Sequence, residues 1–221
     1  MEKRISIILS ALFVLMLCIV GCNKQPVSDS QYYDFTKQVY DYYSKLGYDD
    51  TFITALTCVL LTESNGQPTT IEFSHNFPEE SAAFLNNSAN VTSYDELSEL
   101  YHNYGNLVYE SNIANVGMYR NSEGEFCVGL GILLWTGNMG NDLLRYACDN
   151  NYQWTDIECQ FAFMDTQLTH AGITPENITT KTSEDTLIKF ANDFLGVPNP
   201  SVHLDQYKTY LPEVESIVSS F

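Results

Sequence analysis

Basic residues are scarce in this chain. Its 221 residues include 10 lysines and arginines against 28 aspartates and glutamates, which gives a net charge of −18 at pH 7. Such a surface repels nucleic acid, anionic membranes and anionic cell-wall polymers. We therefore exclude nucleic acid as a partner.

Signatures of metal and nucleotide sites are also missing. The chain has no CxxC motif and its four histidines have no ligand spacing, so we predict no metal site. The GxG pattern at Gly129-Leu130-Gly131 lacks a third glycine and a P-loop lysine, which argues against a nucleotide loop. We expect no cofactor.

The chain has no apolar run long enough for a comfortable membrane span. Its longest run, Ile5–Val20, follows two basic residues and precedes Gly21 and Cys22, a pattern that resembles a bacterial lipobox. This pattern predicts a lipoprotein signal peptide over residues 1–21, with cleavage before Cys22 and lipidation of that residue. An ordinary signal peptide or an uncleaved anchor is the alternative.

The predicted processing defines the rest of the chain. Residues 22–30 are polar and indicate a tether, and residues 31–221 are enough for one well-buried domain. Cleavage removes one acidic and two basic residues, so the net charge becomes −19. We expect an exported protein that lipidated Cys22 anchors to the outer face of the cytoplasmic membrane or to the cell envelope.

Four cysteines lie beyond the predicted lipidation site. An even number in an exported protein suggests two disulfides. The pairing we favour joins Cys148 to Cys159, across a short loop between predicted helices, and Cys58 to Cys127. Four buried thiols are the alternative.

Residues 50–72 form an apolar stretch whose only internal charge between Thr51 and Ile71 is Glu63. Leu56, Leu60 and Glu63 recur at a spacing that places them on one face of a helix. A carboxylate at the rim of an apolar face loses hydration, which disfavours its charged form, as a general acid requires. A solvated residue at a helix end is the simpler interpretation of this stretch alone.

The rest of the chain is predominantly helical in its patterning. Residues 73–91 read as a loop with at most one helical turn, and Cys127–Gly137 predicts a strand or tight turn that carries Trp135 to a cleft wall. Periodicity, capping boxes and Gly/Pro stops predict helices over residues 30–46, 93–104, 138–150, 156–169, 182–194 and 204–218. The predicted fold class is mainly α, with a short glycine-framed strand or turn.

Several of these stretches resemble the phage tail lysozyme family. Leu60–Ser64 ends a helix with the Glu-Ser pair of lysozyme-like lytic enzymes, and Gly129–Gly137 (GLGILLWTG) is similar to the family's GYGIxQWTG segment. Residues 142–168 resemble its next segment, with a QxxFxxxxL helix, and residues 182–200 its closing FxxxYExP element. The resemblance extends over residues 48–218.

The resemblance implies a lysozyme-like helical domain that cleaves the bond between N-acetylmuramic acid and N-acetylglucosamine in peptidoglycan. Glu63 matches the catalytic glutamate and would protonate the leaving glycosidic oxygen. Gly129, Gly131, Trp135 and Thr136 would form the cleft wall that binds the glycan strand.

The chain departs from the family pattern at three places. Leu134 replaces the glutamine before the tryptophan, Leu130 replaces the aromatic residue between the glycines, and Asn138–Asn141 replaces an arginine-rich turn. A hydrolase also needs a second carboxylate, whereas a lytic transglycosylase uses the substrate's own hydroxyl as nucleophile. The acidic candidates are Glu72, Glu79, Glu80, Glu110 and Glu123, and the choice between the two mechanisms stays open.

Three functions compete on these observations. The first is a membrane-anchored muramidase for local wall remodelling, with a cell-envelope or secretion apparatus as partner. The second is a catalytically inactive lysozyme-like lipoprotein that binds glycan or protein, which the acidity and Leu134 favour. The third, a solute-binding lipoprotein, is disfavoured because the chain is short for two lobes and lacks strand–helix alternation.

Overall fold

The computed structural model describes residues 30–111, 119–178, 180–194 and 200–221. In this part of the chain the elements are helices and one two-stranded antiparallel sheet. In order they are α1 Tyr33–Tyr43, a 3₁₀ turn Ser44–Leu46, α2 Asp50–Ser64, α3 Pro78–Ser88, α4 Tyr94–Glu110, β1 Tyr119–Arg120, β2 Phe126–Cys127, α5 Gly137–Asp149, α6 Ile157–His170, α7 Ser183–Asp193, α8 Pro200–Lys208 and α9 Leu211–Val218.

Helix α2 is the centre of one half of the core. The Asp49 side chain caps its first turn by accepting a hydrogen bond from the Phe52 N–H at 2.9 Å. Eleven of its 15 residues are buried, so the helix is enclosed on nearly all sides. Helices α1, α7, α8 and α9 pack around it. This packing fixes the end of α2, where Glu63 lies.

The other half of the core is built by α3 to α6. Helix α4 packs against α3, α5 and β2, and α5 packs against α6. Trp154 is 1% exposed, and its indole N–H donates to Ser88 Oγ at 3.1 Å. Hydrogen bonds between the segment after α2 and the segment before α5 join the two halves.

The prediction of a mainly α fold is confirmed, and α1, α2, α5, α6 and α7 lie close to their predicted bounds. The prediction of a loop over residues 73–91 is wrong, because α3 occupies 11 of those residues. Only Phe84 and Leu85 give α3 large apolar side chains. Packing against Trp154 and α4 stabilises it, rather than a pattern of its own.

The predicted helix over residues 204–218 is two helices in the structure. Helix α8 ends at Lys208 and α9 begins at Leu211, with Pro212 in its first turn. Proline lacks an N–H and clashes with the preceding turn, so it is tolerated at a helix start and not in its interior.

The predicted disulfides are not formed, since all four cysteines are free thiols. Cys58 lies inside α2, whereas Cys127 lies on β2 beside Asn141 in the other half of the core. Burial raises the pKa of the Cys159 thiol to about 12, with smaller contributions from nearby Asp156 and Cys148. Cys58, Cys127 and Cys159 are buried and Cys148 is half-buried, which agrees with the alternative of unpaired thiols.

The predicted signal peptide, most of the tether and Cys22 lie outside the described residues, so these assignments stay predictions. Among the helices that the structure describes, none is long and apolar enough to cross a membrane.

Candidate functional site

Glu63 occupies the last turn of α2, directly before the chain leaves the helix. Asn65 adopts a left-handed conformation (φ 54°) as the C-cap, and Gly66 follows with φ 72°. The Glu63 side chain is half-buried, and its Oε1 accepts a hydrogen bond from the Tyr207 hydroxyl at 2.8 Å. A side chain 144 positions away in the sequence therefore orients the predicted catalytic carboxyl group.

Tyr207 lies on α8 and is fully buried. Burial raises the pKa of its phenol, and the neighbouring Glu63 raises that pKa further. The hydroxyl therefore stays protonated at neutral pH and acts as a donor toward Glu63. When Glu63 is protonated, its proton must then lie on Oε2, the oxygen that Tyr207 does not occupy.

Ser64 ties the same helix end to the opposite wall of the site. Its hydroxyl lies 2.9 Å from the Ile132 carbonyl oxygen and 3.1 Å from the Leu60 carbonyl of its own helix. Ile132 belongs to a tight hairpin, Gly129–Trp135, which we call the glycine hairpin. The residue after the predicted acid is thus in direct contact with the predicted cleft wall.

The glycine hairpin is held by backbone hydrogen bonds. Leu130 and Trp135 exchange two of them, at 3.1 and 3.0 Å, and the turn closes with Leu134 N–H to the Gly131 carbonyl at 3.2 Å. Gly131 has φ 75°, and a Cβ there would lie 2.5 Å from Gln160 Oε1. Only glycine fits this position without displacing its neighbour.

Gln160 is the side chain on which the hairpin rests. It is fully buried on α6, and its Oε1 accepts from the Ile132 N–H at 2.7 Å. Its amide nitrogen donates to the Pro68 and Trp154 carbonyls at 2.8 and 2.7 Å. One amide group therefore joins the hairpin, the segment after α2 and the start of α6.

The segment after α2 pairs with the hairpin like an additional strand. The Gly131 N–H donates to the Thr70 carbonyl at 2.8 Å, and the Glu72 N–H donates to the Gly129 carbonyl at 2.9 Å. The Gly129 N–H in turn donates to Glu72 Oε2 at 2.8 Å. Ser64, the residue after Glu63, and Glu72 thus both bind the same hairpin.

The five acidic candidates for a second carboxylate differ in burial. Glu72 alone among them is half-buried; the others, Glu79, Glu80, Glu110 and Glu123, are exposed. Burial raises the pKa of Glu72, and the hydrogen bond from Gly129 opposes that shift. Glu72 is therefore the candidate that the structure brings to the hairpin.

The residues predicted to bind glycan fall into two groups. Gly129 and Gly131 are buried, and their lack of a side chain lets other residues pack closely against them: Glu72 and Leu134 at Gly129, and Gln160 at Gly131. Trp135 is 4% exposed and packs edge-on against Phe163. Its indole N–H has no hydrogen-bond partner in the described part of the chain.

A cavity of about 450 Å³ lies along one side of the hairpin. Trp135 and Thr136 contribute to its lining, together with Leu133, Leu134, Met139, Gln167, His170, Ala171 and Phe194. Glu63 is not part of this lining, so we base the site on the hydrogen-bonded walls and not on the cavity. Among the residues that the structure describes, no cluster of histidine, cysteine or acidic side chains could hold a metal ion.

Comparison with known families finds a match that includes both the end of α2 and the glycine hairpin. A family model for phage tail lysozyme matches residues 34–203, which is well over half of the sequence. The chain belongs to the phage tail lysozyme family. The resemblance inferred from the short motifs is confirmed, and the family suggests a peptidoglycan-cleaving activity of the lysozyme type. No curated protein matches the chain.

Sequence reasoning did not find two residues of the site: Gln160, which lies inside the phage tail lysozyme match, and Tyr207, which lies just beyond its end at residue 203. Gln160 is the glutamine of the QxxFxxxxL segment, and a polar residue between Cys159 and Phe161 on a buried helix is a signal for a structural hydrogen bond. Tyr207 has no comparable signal, because it lies in a polar helix far along the chain.

Proposed function

We propose that the protein is a membrane-anchored cell-wall enzyme that cleaves the bond between N-acetylmuramic acid and N-acetylglucosamine in peptidoglycan. Glu63 acts as the general acid. The observation that carries the proposal is the orientation of the Glu63 carboxyl group by the buried Tyr207 hydroxyl at 2.8 Å. The Ser64–Ile132 contact beside it supports a fixed position relative to the hairpin.

The proposed acid step uses the free oxygen of Glu63. With Oε1 occupied by Tyr207, the protonated Oε2 donates to the glycosidic oxygen as the bond to C1 breaks. The sugar at C1 develops oxocarbenium character, and the leaving sugar departs as a neutral alcohol. Glu63 forms no salt bridge within the described residues, so its position depends on the Tyr207 hydrogen bond and the packing of α2.

Substitution of Glu63 tests this role. Glu63→Gln keeps an acceptor for Tyr207 but removes the proton, so we expect the rate of peptidoglycan clearing to fall by about 10²–10⁴-fold. Glu79→Gln is the matched control, because Glu79 is an exposed glutamate on α3. If the wild-type protein does not clear peptidoglycan, the proposal that it is an enzyme is refuted. If Glu63→Gln clears peptidoglycan at the wild-type rate, the assignment of Glu63 as general acid is refuted.

A second candidate function is a glycan-binding or protein-interaction module without catalysis. The net charge of −18 and the apolar Leu134 at the position of the family's glutamine favour it. This candidate predicts that wild type and Glu63→Gln bind insoluble peptidoglycan equally in a pull-down and that neither releases soluble fragments.

The proposal also includes export and lipid anchoring at Cys22. The leader Ile5–Val20 and the sequence Gly21-Cys22 support it. We expect labelled palmitate to be incorporated into wild type and not into Cys22→Ala. Lipidation would confine cleavage to the cell wall near the membrane, next to a cell-envelope or secretion apparatus. If the wild-type protein incorporates no labelled palmitate, the proposed lipid anchor is refuted.

A further inference from the structure

Glu72 is a second carboxyl group at the site, and no part of the acid step uses it. It is half-buried, and its backbone and its side chain both bind Gly129. We propose that Glu72 is the general base that takes a proton from the attacking water, which makes the protein a hydrolase and not a lytic transglycosylase. This inference rests on the proposed function of Glu63.

The position of Glu72 follows from the hairpin. Ser64, adjacent to Glu63, contacts Ile132, and Glu72 contacts Gly129, three residues earlier in the same hairpin. Three residues span at most ~10 Å between Cα atoms, and less in a turn. A water that attacks on the face opposite the acid needs carboxyl groups separated by roughly 6.5–9.5 Å. The shared hairpin brings Glu72 to the wall that contacts the helix end bearing Glu63, and the proposal requires this separation between the two carboxyl groups.

The hydrogen bonding of Glu72 leaves one oxygen for water. Oε2 accepts from the Gly129 N–H at 2.8 Å, and Oε1 has no hydrogen-bond partner among the described residues. A backbone donor orients the carboxylate without neutralising it, unlike a salt bridge. Glu72 is therefore held by one oxygen and can bind and deprotonate water through the other.

The surroundings of Glu72 favour basicity. A Cβ at Gly129 would lie 3.3 Å from Glu72 Oε2 and 2.9 Å from Leu134 Cβ, so both side chains lie on the side of Gly129 to which a Cβ would point. Burial raises the pKa of Glu72 toward the working range of a general base. Tyr101, the ionisable group that interacts with it, is buried and has a raised pKa, so it stays neutral.

The proton and bond changes balance over one turnover. The water oxygen bonds to C1 while its proton passes to Glu72, and the bond from C1 to the glycosidic oxygen breaks as that oxygen takes the proton of Glu63. One water is consumed, and the product is a reducing N-acetylmuramic acid end. Proton exchange with solvent restores Glu63 and Glu72. Displacement by water in a single step inverts the configuration at C1.

Glu72→Gln is the principal test. Glutamine keeps an acceptor for the Gly129 N–H but cannot take a proton, so we expect kcat to fall by about 10²–10⁴-fold with little change in KM and no fall in melting temperature. The matched control is Glu123→Gln, which should keep wild-type activity because Glu123 is exposed in the turn between β1 and β2. A Glu72→Gln variant with wild-type kcat and pH profile would overturn the inference.

Product analysis of the wild-type protein gives a second test that does not depend on a variant folding. We expect mass spectrometry to find reducing ends that carry one oxygen from labelled water, and NMR to find inversion at C1. Anhydro-sugar ends, or retention of configuration, would overturn the base role of Glu72 while leaving Glu63 as acid intact. Loss of activity in Glu63→Gln alone tests the proposed function separately.

Discussion

The two walls of the site are built by different means. The helical wall holds Glu63 with a hydrogen bond between two side chains, Glu63 and Tyr207, on helices α2 and α8. The hairpin wall holds Glu72 with backbone groups of Gly129. A side-chain bond can be removed with the helices intact, whereas a change in hairpin backbone geometry disturbs every bond across it. A change in the hairpin backbone should therefore mainly reduce stability, whereas loss of the Tyr207 hydrogen bond should mainly reduce activity.

The largest effect is expected from Gly131→Ala. The new Cβ would require a left-handed alanine and would lie 2.5 Å from Gln160 Oε1. Gly124→Ala is the matched control, since Gly124 has φ 87° and nothing within 4 Å of an added Cβ. We expect unfolding free energies lower by about 3 kcal/mol for Gly131→Ala and by about 1 kcal/mol for Gly124→Ala in urea titrations. Equal losses would mean that strain alone, and not the Gln160 contact, makes Gly131 necessary.

The contrast between the walls also explains what the sequence could predict. The sequence could predict Glu63 because it is the only charged residue between Thr51 and Ile71, and because Asn65, Gly66 and Pro68 mark the end of α2. The sequence could also predict the glycine hairpin, because all residues of its motif are consecutive in the chain. Local patterns therefore predicted one residue of the helical wall and the location of the hairpin wall.

The partners of these residues could not be predicted in the same way. Tyr207 reaches Glu63 only because α8 packs against α2, and the sequence has no signal for that pairing. Glu72 was one of five acidic candidates until the pairing of residues 70–72 with the hairpin distinguished it. In both cases the decisive fact is tertiary packing, which periodicity does not contain.

Tyr207→Phe is expected to give an intermediate effect that tests the helical wall. It removes the donor to Glu63, so we expect kcat to fall about tenfold, together with about 1 kcal/mol of stability. Tyr43→Phe is the matched control, because Tyr43 is equally buried and donates to the Phe161 carbonyl at 3.2 Å, away from Glu63. Both variants should lose similar stability in thermal unfolding, but only Tyr207→Phe should lose activity. Parallel activity losses would mean that Tyr207 acts through the fold and not on Glu63.

The smallest effect concerns the pH dependence of stability at the hairpin wall. Burial raises the pKa of Glu72 above its ordinary value of 4.5 in the folded protein. The folded state therefore binds the Glu72 proton more tightly, and this contribution is fully present below pH 4.5 and is lost as pH rises through the folded pKa. Glu72→Gln cannot ionise, so we expect its unfolding free energy to increase relative to wild type between pH 4 and pH 7.

Urea titrations of wild type and Glu72→Gln across that range measure the difference directly. Asp165, whose pKa burial also raises, titrates in both proteins and cancels in the comparison. A difference that is independent of pH would mean that Glu72 ionises in the folded protein as easily as in the unfolded chain. Desolvation of the Glu72 carboxylate beside Gly129 would then be ruled out, whereas the assignment of Glu63 and its bond to Tyr207 would be unaffected.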